Sequence, residues 1–200
     1  MSVQRAVLDA ALEIIAAEGP DAVSMREVAR RAEVSHQAPY HHFEDRAGIF
    51  AAIAAEGFET LAAELRAVLT DSPQPSRQCF AAYVRMAMEY RGHFRIMFRS
   101  DLCGISTHET TRIAADAAFS ELLRMVERVI GRPSDDIESF TWATLIWSAA
   151  HGFATLMLDG PLLGKMPPGV TQTTLTDSFV ELFSDMVDDQ AASIGFSPRR

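Results

Sequence analysis

The chain has 200 residues, which is long enough to bury one hydrophobic core or two small ones. Its 48% hydrophobic and 22% charged residues are typical of a soluble globular protein. Its 18 Lys and Arg stand against 27 Asp and Glu, a formal net charge of −9, which argues against DNA affinity that comes mainly from a basic surface.

Several other classes of protein find no support in the sequence. No basic segment leads into an apolar run at the N-terminus, and no stretch approaches the ~18 apolar residues of a membrane span, so neither a signal peptide nor a membrane segment is expected. Cys79 and Cys103 are the only cysteines and lie far apart, which predicts a reduced, cytoplasmic protein. The sequence holds no GxSxG, HExxH, Gly-rich phosphate loop or paired-cysteine motif, so we expect no enzyme activity, no cofactor and no metal site.

The N-terminal segment has the pattern of short helices with recognisable capping and terminating residues. The first runs from about Gln4 to Glu18, where apolar residues recur at helical spacing, and Gly19-Pro20 ends it. Ser24 followed by Glu27 is the pattern of a capping box, which predicts the start of a second helix.

A tight turn follows the second helix. Ala32–Ser35 is predicted to be this turn, and Ser35 to cap a third helix that starts at His36. Two helices joined by a turn of three or four residues form a helix-turn-helix, whose second helix can enter a DNA major groove.

The rest of the chain shows only helical periodicity. A long helix is predicted from Glu44-Asp45 to about Leu69, and Thr70–Pro75 is the clearest break in the chain. Further helices are predicted at about Ser76–Tyr90, His93–Phe98, His108–Ile130, Ser134–Leu158 and Thr173–Val187. Because no segment alternates as a strand would, the predicted fold is all-α with about nine helices.

Two stretches carry a family resemblance. SMREVARRAEVSHQAPYHHFEDR, at 24–46, resembles the DNA-binding signature of the tetracycline-repressor (TetR) family. YRGHFRIMF at 90–98, with Trp147, His151 and Gly152, is similar to the branch of that family named for a Trp-His-Gly signature. The resemblance implies a helix-turn-helix DNA-binding domain at residues 1–47, and a helical ligand-binding and dimerisation domain at residues 48–200.

The resemblance also implies roles for individual residues. His36, Gln37 and Ala38 match the start of the recognition helix, where Gln can pair with adenine, His with guanine and the Ala methyl with thymine. Tyr40 matches a tyrosine that meets phosphate. The implied DNA contacts are Ser24, Arg26, His36, Gln37, Ala38, Tyr40, His41, His42 and Arg46. Partial protonation of the three histidines would add positive charge that the acidic chain otherwise lacks.

The sequence departs from the family pattern at two positions. Glu33 occupies the turn position where the family usually has Gly; a left-handed conformation there would cost a non-Gly residue roughly 1 kcal/mol, and the carboxylate would repel DNA. Pro39 lies within the first turn of the recognition helix, where its missing N–H is tolerable.

The C-terminal half is rich in aromatic and Met side chains, which could line a drug-sized apolar pocket. Such residues are individually more often ordinary core. The candidate effector contacts are Tyr83, Met86, Phe94, Met97, Phe98, Phe119, Trp142, Trp147 and His151. For His151, a core or interface role and an effector contact both stay open, and a metal ligand is disfavoured because no second His or Cys has ligand spacing.

These features predict a homodimeric transcriptional regulator, more specifically a repressor, that binds a palindromic operator in double-stranded DNA. Its last two long helices are expected to form the dimer interface. A small apolar or aromatic effector is expected to release it from DNA. The alternative is a helical small-molecule-binding protein with lost or weak DNA binding, motivated by Glu33 and the net charge. An enzyme using the pocket is disfavoured by the missing motifs.

Overall fold

The computed structural model describes residues 2–70 and 72–193, so Asp71 of the predicted break and the last seven residues of the predicted C-terminal domain lie outside the described residues. The prediction of an all-α fold is confirmed. The α-helices are α1 (Val3–Glu18), α2 (Met25–Arg31), α3 (Ala38–Phe43), α4 (Arg46–Leu69), α5 (Pro75–Glu89), α6 (Arg91–Met97), α7 (Ser100–Cys103), α8 (Glu109–Ile130), α9 (Ile137–Leu158) and α10 (Gln172–Ser193). Helix α7 has only four residues and is not predicted by the periodicity of the sequence. Within the described ranges, no helix is both long and apolar enough to span a membrane.

The chain forms two compact units. The first, unit 1, comprises residues 2–60 and 90–117, and the second, unit 2, comprises residues 61–89 and 118–193, in each case at the described positions. Helices α4 and α8 contribute residues to both units.

Unit 1 is built around α1, which packs against α2, α3 and α6. The inner face of α1 is fully buried at Val7, Ala11 and Ile14, as its apolar spacing predicts. Glycines let α6 approach its neighbours closely: a Cβ added at Gly92 would lie 3.0 Å from a methyl of Leu12 on α1. The helix-turn-helix therefore rests on a well-packed scaffold.

The turn between α2 and α3 has a defined hydrogen-bond pattern. The amide of Val34 donates to the Ala29 carbonyl over 3.1 Å, and the amide of Glu33 donates to the Arg30 carbonyl over 3.3 Å. These two bonds are those of a Schellman motif, in which the residue after the C-cap takes a left-handed conformation and is usually Gly. Glu33 occupies that position with φ 55°, so a non-Gly residue takes the left-handed conformation in this turn.

The recognition helix starts later than predicted. The prediction of a start at His36 with Ser35 as its cap is wrong, because α3 begins at Ala38 and Gln37 precedes it with no side-chain cap. A start at His36 would require the Pro39 nitrogen to donate the first bond of the helix, and proline has no N–H. With the later start, Pro39 falls within the first turn, where backbone N–H groups have no helical partner.

The connection between α3 and α4 is tight. Glu44 has φ 60° and ψ −55°, and the amide of Asp45 donates to the Phe43 carbonyl over 2.6 Å, which together form a strained γ-turn. The amide of Gly48 in turn donates to the Asp45 carboxylate over 2.9 Å. A Cβ at Gly48 would overlap the Phe43 carbonyl oxygen, so this position requires glycine.

Unit 2 has α5 packed against α9 and α10. Phe179 of α10 stacks on Phe153 of α9 with ring centroids 4.2 Å apart, and Phe80 of α5 lies 4.9 Å from Phe183 of α10. These ring contacts join all three helices, with Phe80 and Phe153 buried and Phe179 and Phe183 half-buried.

One carboxylate is buried in unit 2. Glu121 of α8 is 2% exposed, and its oxygens accept from Arg66 at 2.8 Å and from Arg124 at 3.0 Å. Both guanidinium groups reach solvent, so the buried charge is compensated from the surface.

Candidate nucleic-acid interface and effector site

The arginines of α2 are engaged in ion pairs. Glu27 accepts from Arg30 at 2.7 Å and from Arg31 at 2.8 Å, and Arg31 also pairs with Glu18 of α1. Hydrogen bonds from Arg30 and then Arg31 hold the pKa of Glu27 at about 2, far below its usual range. The cations of this helix are thus largely neutralised by the protein's own carboxylates.

Arg46, a predicted DNA contact, is bound within unit 1. Its guanidinium donates to the Pro20 carbonyl over 2.9 Å, lies 3.8 Å from the Asp21 carboxylate and sits 5.0 Å above the ring centre of Phe50. These contacts fasten the start of α4 to the 3-10 turn Pro20–Ala22. Arg46 therefore has an intramolecular role beside any contact with phosphate.

Ser24 and Arg26 lie at the start of α2. The Ser24 hydroxyl accepts from the Glu27 amide over 3.2 Å, which is the first half of the predicted capping box. Arg26 is exposed, and it makes no ion pair with any residue in the described part of the chain. Of the cations on α2, Arg26 is the one available to a polyanion.

The other predicted DNA contacts cluster at one end of unit 1. His36, Gln37, Tyr40, His41 and His42 are all exposed, with Tyr40 exposed by 47%. Pro39 and Phe43 of the same helix are buried and hold it in place, while Ala38 is half-buried. The cluster combines hydrogen-bonding side chains on a short anchored helix and the turn before it, an arrangement suited to contacts with base edges. We call these five exposed residues the reading tip.

Unit 1 also contains a polar cleft of about 350 Å³ where α1, α4 and α6 meet. Glu56 accepts from Arg5 over 2.7 Å, and its second oxygen lies 3.4 Å from the Nε2 of His93. Burial lowers the pKa of His93, against the opposing effect of Glu56. Because Arg5 and Glu56 are 51 positions apart, no local spacing rule could predict this cluster.

In unit 2, a hydrogen-bonded chain links three of the candidate effector contacts. The indole Nε1 of Trp147 donates to the Tyr83 hydroxyl over 3.3 Å, and that hydroxyl lies 2.9 Å from the Nδ1 of His151. Since an indole only donates, the phenol O–H of Tyr83 is free to donate a hydrogen bond to the Nδ1 of His151, which assigns a neutral imidazole with its hydrogen on Nε2. Burial lowers the pKa of His151 and raises that of Tyr83, so both groups are held in their neutral forms.

The candidate effector contacts divide between the two units. Phe94, Met97 and Phe98 belong to unit 1, where Phe98 makes edge contacts with the rings of Phe58 and Phe94, both at 5.4 Å. The remaining candidates belong to unit 2: Tyr83, Met86, Phe119, Trp142, Trp147 and His151. Phe119 lies 6.0 Å from the Trp147 ring, beside the hydrogen-bonded chain, whereas Met86 is 1% exposed in the core.

No group of three or more His, Cys, Asp or Glu suited to a metal ion occurs among the described residues. Cys79 and Cys103 are both buried and unpaired with each other, and burial raises the pKa of the Cys79 thiol to about 12.

The intramolecular pairs of the helix-turn-helix arginines were not predicted, although some of them have a signal in the local sequence and others have none. Glu27 lies three and four residues before Arg30 and Arg31, a helical spacing that indicates ion pairs. The bond from Arg46 to Pro20 has no such local signal, because it joins residues 26 positions apart.

A helix-turn-helix with an exposed polar reading tip, carried by an all-helical chain, defines a DNA-binding transcription regulator. Family comparisons agree. The model described as "Bacterial regulatory proteins, tetR family" matches residues 7–53, and the "Tetracyclin repressor-like, C-terminal domain" model matches residues 76–189. Since the second match alone covers more than half of the chain, the protein belongs to the tetracycline-repressor (TetR) family, with the Trp-His-Gly type of C-terminal domain.

Solved structures share the fold over nearly the whole chain. A protein with unknown function from Rhodococcus sp. RHA1 is 28% identical, with 95% of each chain covered and a TM-score of 0.75. PfmR, a TetR family transcriptional regulator from Thermus thermophilus, is 17% identical, with 94% of this chain and 96% of that chain covered and a TM-score of 0.65. The ketosteroid transcriptional regulator KstR2 of Mycobacterium tuberculosis is 14% identical, with 94% of each chain covered and a TM-score of 0.63. The last two likenesses concern the fold alone, and no curated protein sequence matches the chain.

Proposed function

We propose that the protein is a cytoplasmic, homodimeric repressor that binds a palindromic operator and is released by a small apolar or aromatic effector. The observation that carries the DNA-binding part is the reading tip, because five exposed hydrogen-bonding side chains lie on α3 and the turn before it, and buried Pro39 and Phe43 anchor that helix. In this proposal His36, Gln37 and Ala38 meet base edges. Tyr40, His41 and His42 meet phosphates together with Ser24, Arg26 and, beside its internal role, Arg46.

A mobility-shift titration tests this assignment. The probe is the DNA upstream of the protein's own gene, at low and moderate salt, with wild type, Gln37→Ala and Tyr40→Ala. Losing a bidentate base contact costs about 1–3 kcal/mol, so we expect Gln37→Ala to weaken the specific complex about 5- to 150-fold. Gln78→Ala, an exposed glutamine on α5, is the matched control and should leave the complex unchanged. An identical salt-sensitive complex for wild type and both tip variants would refute the assignment.

The proposed dimer uses the outer faces of α9 and α10. Leu145 and Leu156 of α9 are exposed by 52% and 47%, and Leu182 and Met186 of α10 are exposed by 64% and 60%. Gly152 lies on α9 between the two leucines, and a Cβ there would meet nothing within 4 Å in its own protomer. An apolar face with a glycine that the protomer's own packing does not need is well suited to a second copy of the helix pair.

The double variant Leu182→Glu/Met186→Glu tests the dimer. We expect sedimentation velocity to show a monomer, and operator affinity to fall about 100-fold or more because each protomer then binds one half-site alone. Ile113→Glu, a substitution at a similarly exposed position on α8 of unit 1, is the control and should stay dimeric. A wild-type protein that sediments as a monomer at micromolar concentration would refute this part.

The effector proposal rests on the chain formed by Trp147, Tyr83 and His151 with Phe119 beside it. Aromatic surface beside a few oriented polar groups is typical of small-molecule sites. A thermal-shift screen with apolar aromatic compounds should raise the midpoint of wild type, and Tyr83→Phe should reduce that shift by removing the hydroxyl between Trp147 and His151. A response that is uniformly flat would argue for a dimerisation scaffold.

A second candidate, a small-molecule-binding protein with weak DNA binding, is favoured by one observation. The reading surface carries the Glu33 carboxylate, and Arg30, Arg31 and Arg46 are held by partners within unit 1. Under this alternative the thermal-shift screen responds, while no DNA fragment gives a specific complex at any salt concentration.

A further inference from the structure

Unit 1 has few permanent cations without an internal partner in its helix-turn-helix segment. Its helix-turn-helix segment contains no lysine, since the single lysine of the chain is Lys165. Four of the five arginines among the first 50 residues are held internally: Arg5 by Asp9 and Glu56, Arg30 and Arg31 by Glu27, and Arg46 by the Pro20 carbonyl. Of these five arginines, only Arg26 makes no ion pair with a described residue.

The exposed histidines of the reading tip are a further source of positive charge for binding DNA. His36, His41 and His42 are exposed at the reading tip, so the tip holds three of the six histidines of the chain. Histidine is the side chain whose ordinary titration changes its charge between pH 5 and 8. A nearby polyanion favours the charged imidazolium, because an opposite charge stabilises the protonated form.

The surroundings of the reading tip contain both signs of charge. The elements packed against α3 carry Arg5, Asp9, Glu13 and Glu18 on α1, and Arg26, Glu27, Arg30 and Arg31 on α2. The flanking turns carry Glu33, Glu44 and Asp45, and Arg46 starts α4. Glu33 and Glu44 are exposed carboxylates on either side of α3, which adds to the cost of bringing phosphates close while the histidines are neutral.

We propose that DNA binding by this protein takes up protons at the three histidines of the reading tip, His36 at base edges and His41 and His42 at phosphates. The proposal rests on the DNA-binding function proposed above. By linkage, a complex that binds more protons than its free components grows tighter as the pH falls. Each proton taken up also adds a cation that displaces counterions, so the salt dependence of binding should steepen in acid.

The magnitude follows from the number of protons. A net uptake of one proton per complex changes affinity about tenfold per pH unit within the titration range, and a dimer has two tips. We therefore expect affinity for a 30-bp duplex to rise at least about tenfold from pH 8 to pH 6 at constant ionic strength. The slope of log affinity against log salt should become more negative by about 0.9 for each added phosphate contact.

The experiment is fluorescence anisotropy with labelled duplex DNA from upstream of the gene, or with a random duplex if no specific complex forms, between pH 6 and 8. Calorimetry in two buffers of different ionisation enthalpy counts the protons directly. The test variant is His36→Gln/His41→Gln/His42→Gln, and the control is His108→Gln, a half-buried histidine in the same unit. We expect the control to keep the pH dependence and the triple variant to lose it.

A second variant keeps the test valid if the triple variant folds poorly by circular dichroism. His42→Arg places a permanent cation at the tip, so its affinity at pH 8 should exceed that of wild type and its proton uptake should be smaller. Wild-type affinity that is flat between pH 6 and 8, or proton uptake that survives in a folded triple variant, would overturn the inference while leaving DNA binding intact. Absence of any complex at pH 6 and low salt would instead refute the proposed function.

Discussion

The two helices of the helix-turn-helix differ in how their polar groups are used. On α2, Glu27 binds Arg30 and Arg31, and Arg31 reaches Glu18 of α1, so most of the charge is compensated within the protein. On α3 and the turn before it, the polar side chains are exposed, and the buried residues are Pro39 and Phe43. Both helices are anchored by buried apolar residues, which on α2 include Met25 and Val28. They differ on their polar sides, because ion pairs engage the side chains of α2 whereas those of α3 and the turn before it are exposed.

The difference indicates that α2 positions the helix-turn-helix, whereas α3 and the turn before it hold the side chains suited to contacting DNA. Exposed ion pairs contribute little stability individually, but a carboxylate shared by two arginines restricts the rotamers of both. A recognition helix needs the opposite arrangement, because side chains that are already paired must break those pairs before they can meet bases. The comparison predicts that changes to the anchors of α3 act on folding, and changes to α2 act on the charge that DNA meets.

The largest effect on stability and DNA binding is expected for Gly48→Ala, which disturbs the backbone at the end of α3. The added Cβ would overlap the backbone carbonyl oxygen of Phe43, which cannot move as a flexible side chain could. Overpacking of this kind costs about 1–3 kcal/mol and occasionally more, so we expect a clearly lower thermal midpoint and lost operator binding. Gly164→Ala is the control, since a Cβ there meets nothing within 4 Å. Equal midpoints for the two variants would contradict the strict need for glycine at position 48.

The second prediction concerns Glu27→Gln, which releases both arginines of α2. We expect a steeper salt dependence and several-fold higher affinity for random DNA, because Arg30 and Arg31 become available to phosphates. Glu13→Gln, an exposed carboxylate on α1, removes the same charge without freeing an arginine and should change affinity less. If both variants gain the same affinity for DNA, the change in net charge alone explains the effect, and release of Arg30 and Arg31 contributes nothing.

Glu27 also predicts a pH effect on stability. Its folded-state pKa of about 2 lies below the unfolded value, so in the intervening range the unfolded chain binds more protons than the folded one. The stability that the ion pairs provide is present above the unfolded pKa of about 4.3 and is lost as the pH falls toward 2. Chemical unfolding between pH 6 and 3 should show a smaller acid loss for Glu27→Gln than for wild type, and an equal loss would contradict the assignment.

Two substitutions at Ser24 distinguish a role in capping α2 from a role in contacting phosphate. Ser24→Ala removes the acceptor for the Glu27 amide, and loss of such a cap costs about 0.5–2 kcal/mol of stability. Ser24→Asp keeps an acceptor for that amide but repels phosphate, so it should fold like wild type and bind DNA more weakly. If Ser24→Asp binds as wild type does, Ser24 is a cap only.

Much of this organisation could be predicted from local sequence patterns. The apolar spacing of α1 and the pairing of Ser24 with Glu27 are properties of a few adjacent residues, and both helices form where expected. The start of α3 was misplaced because Ser35 is a favourable cap in isolation, while the missing N–H of Pro39 decides against it.

Pairs that join distant parts of the chain could not be predicted in this way. Arg46 follows the pattern of a DNA-contacting cation in its family, and its bond to the Pro20 carbonyl depends on how the two segments pack. The same holds for the bond between Tyr83 and His151, which are 68 positions apart. Spacing rules reach one or two helical turns, and contacts beyond that range depend on tertiary packing.

The smallest expected effect comes from Glu33, which lies in the turn between the two helices and combines strain with charge. Glu33→Gly removes the left-handed strain at φ 55° and should raise the free energy of unfolding by roughly 1 kcal/mol. Glu33→Gln keeps the strain and removes only the charge, so it should leave stability nearly unchanged. Both variants should bind DNA more tightly, because each removes a carboxylate beside the reading tip.

Denaturant unfolding and anisotropy measured on the same two proteins separate these contributions. If Glu33→Gly gains stability but neither variant gains affinity, the carboxylate points away from bound DNA, and the turn restrains only the fold. If both gain affinity equally and only the glycine variant gains stability, strain and charge act independently at this position. In that case the carboxylate of the turn limits DNA affinity by repelling phosphates, and the strain at the same residue lowers stability without affecting binding.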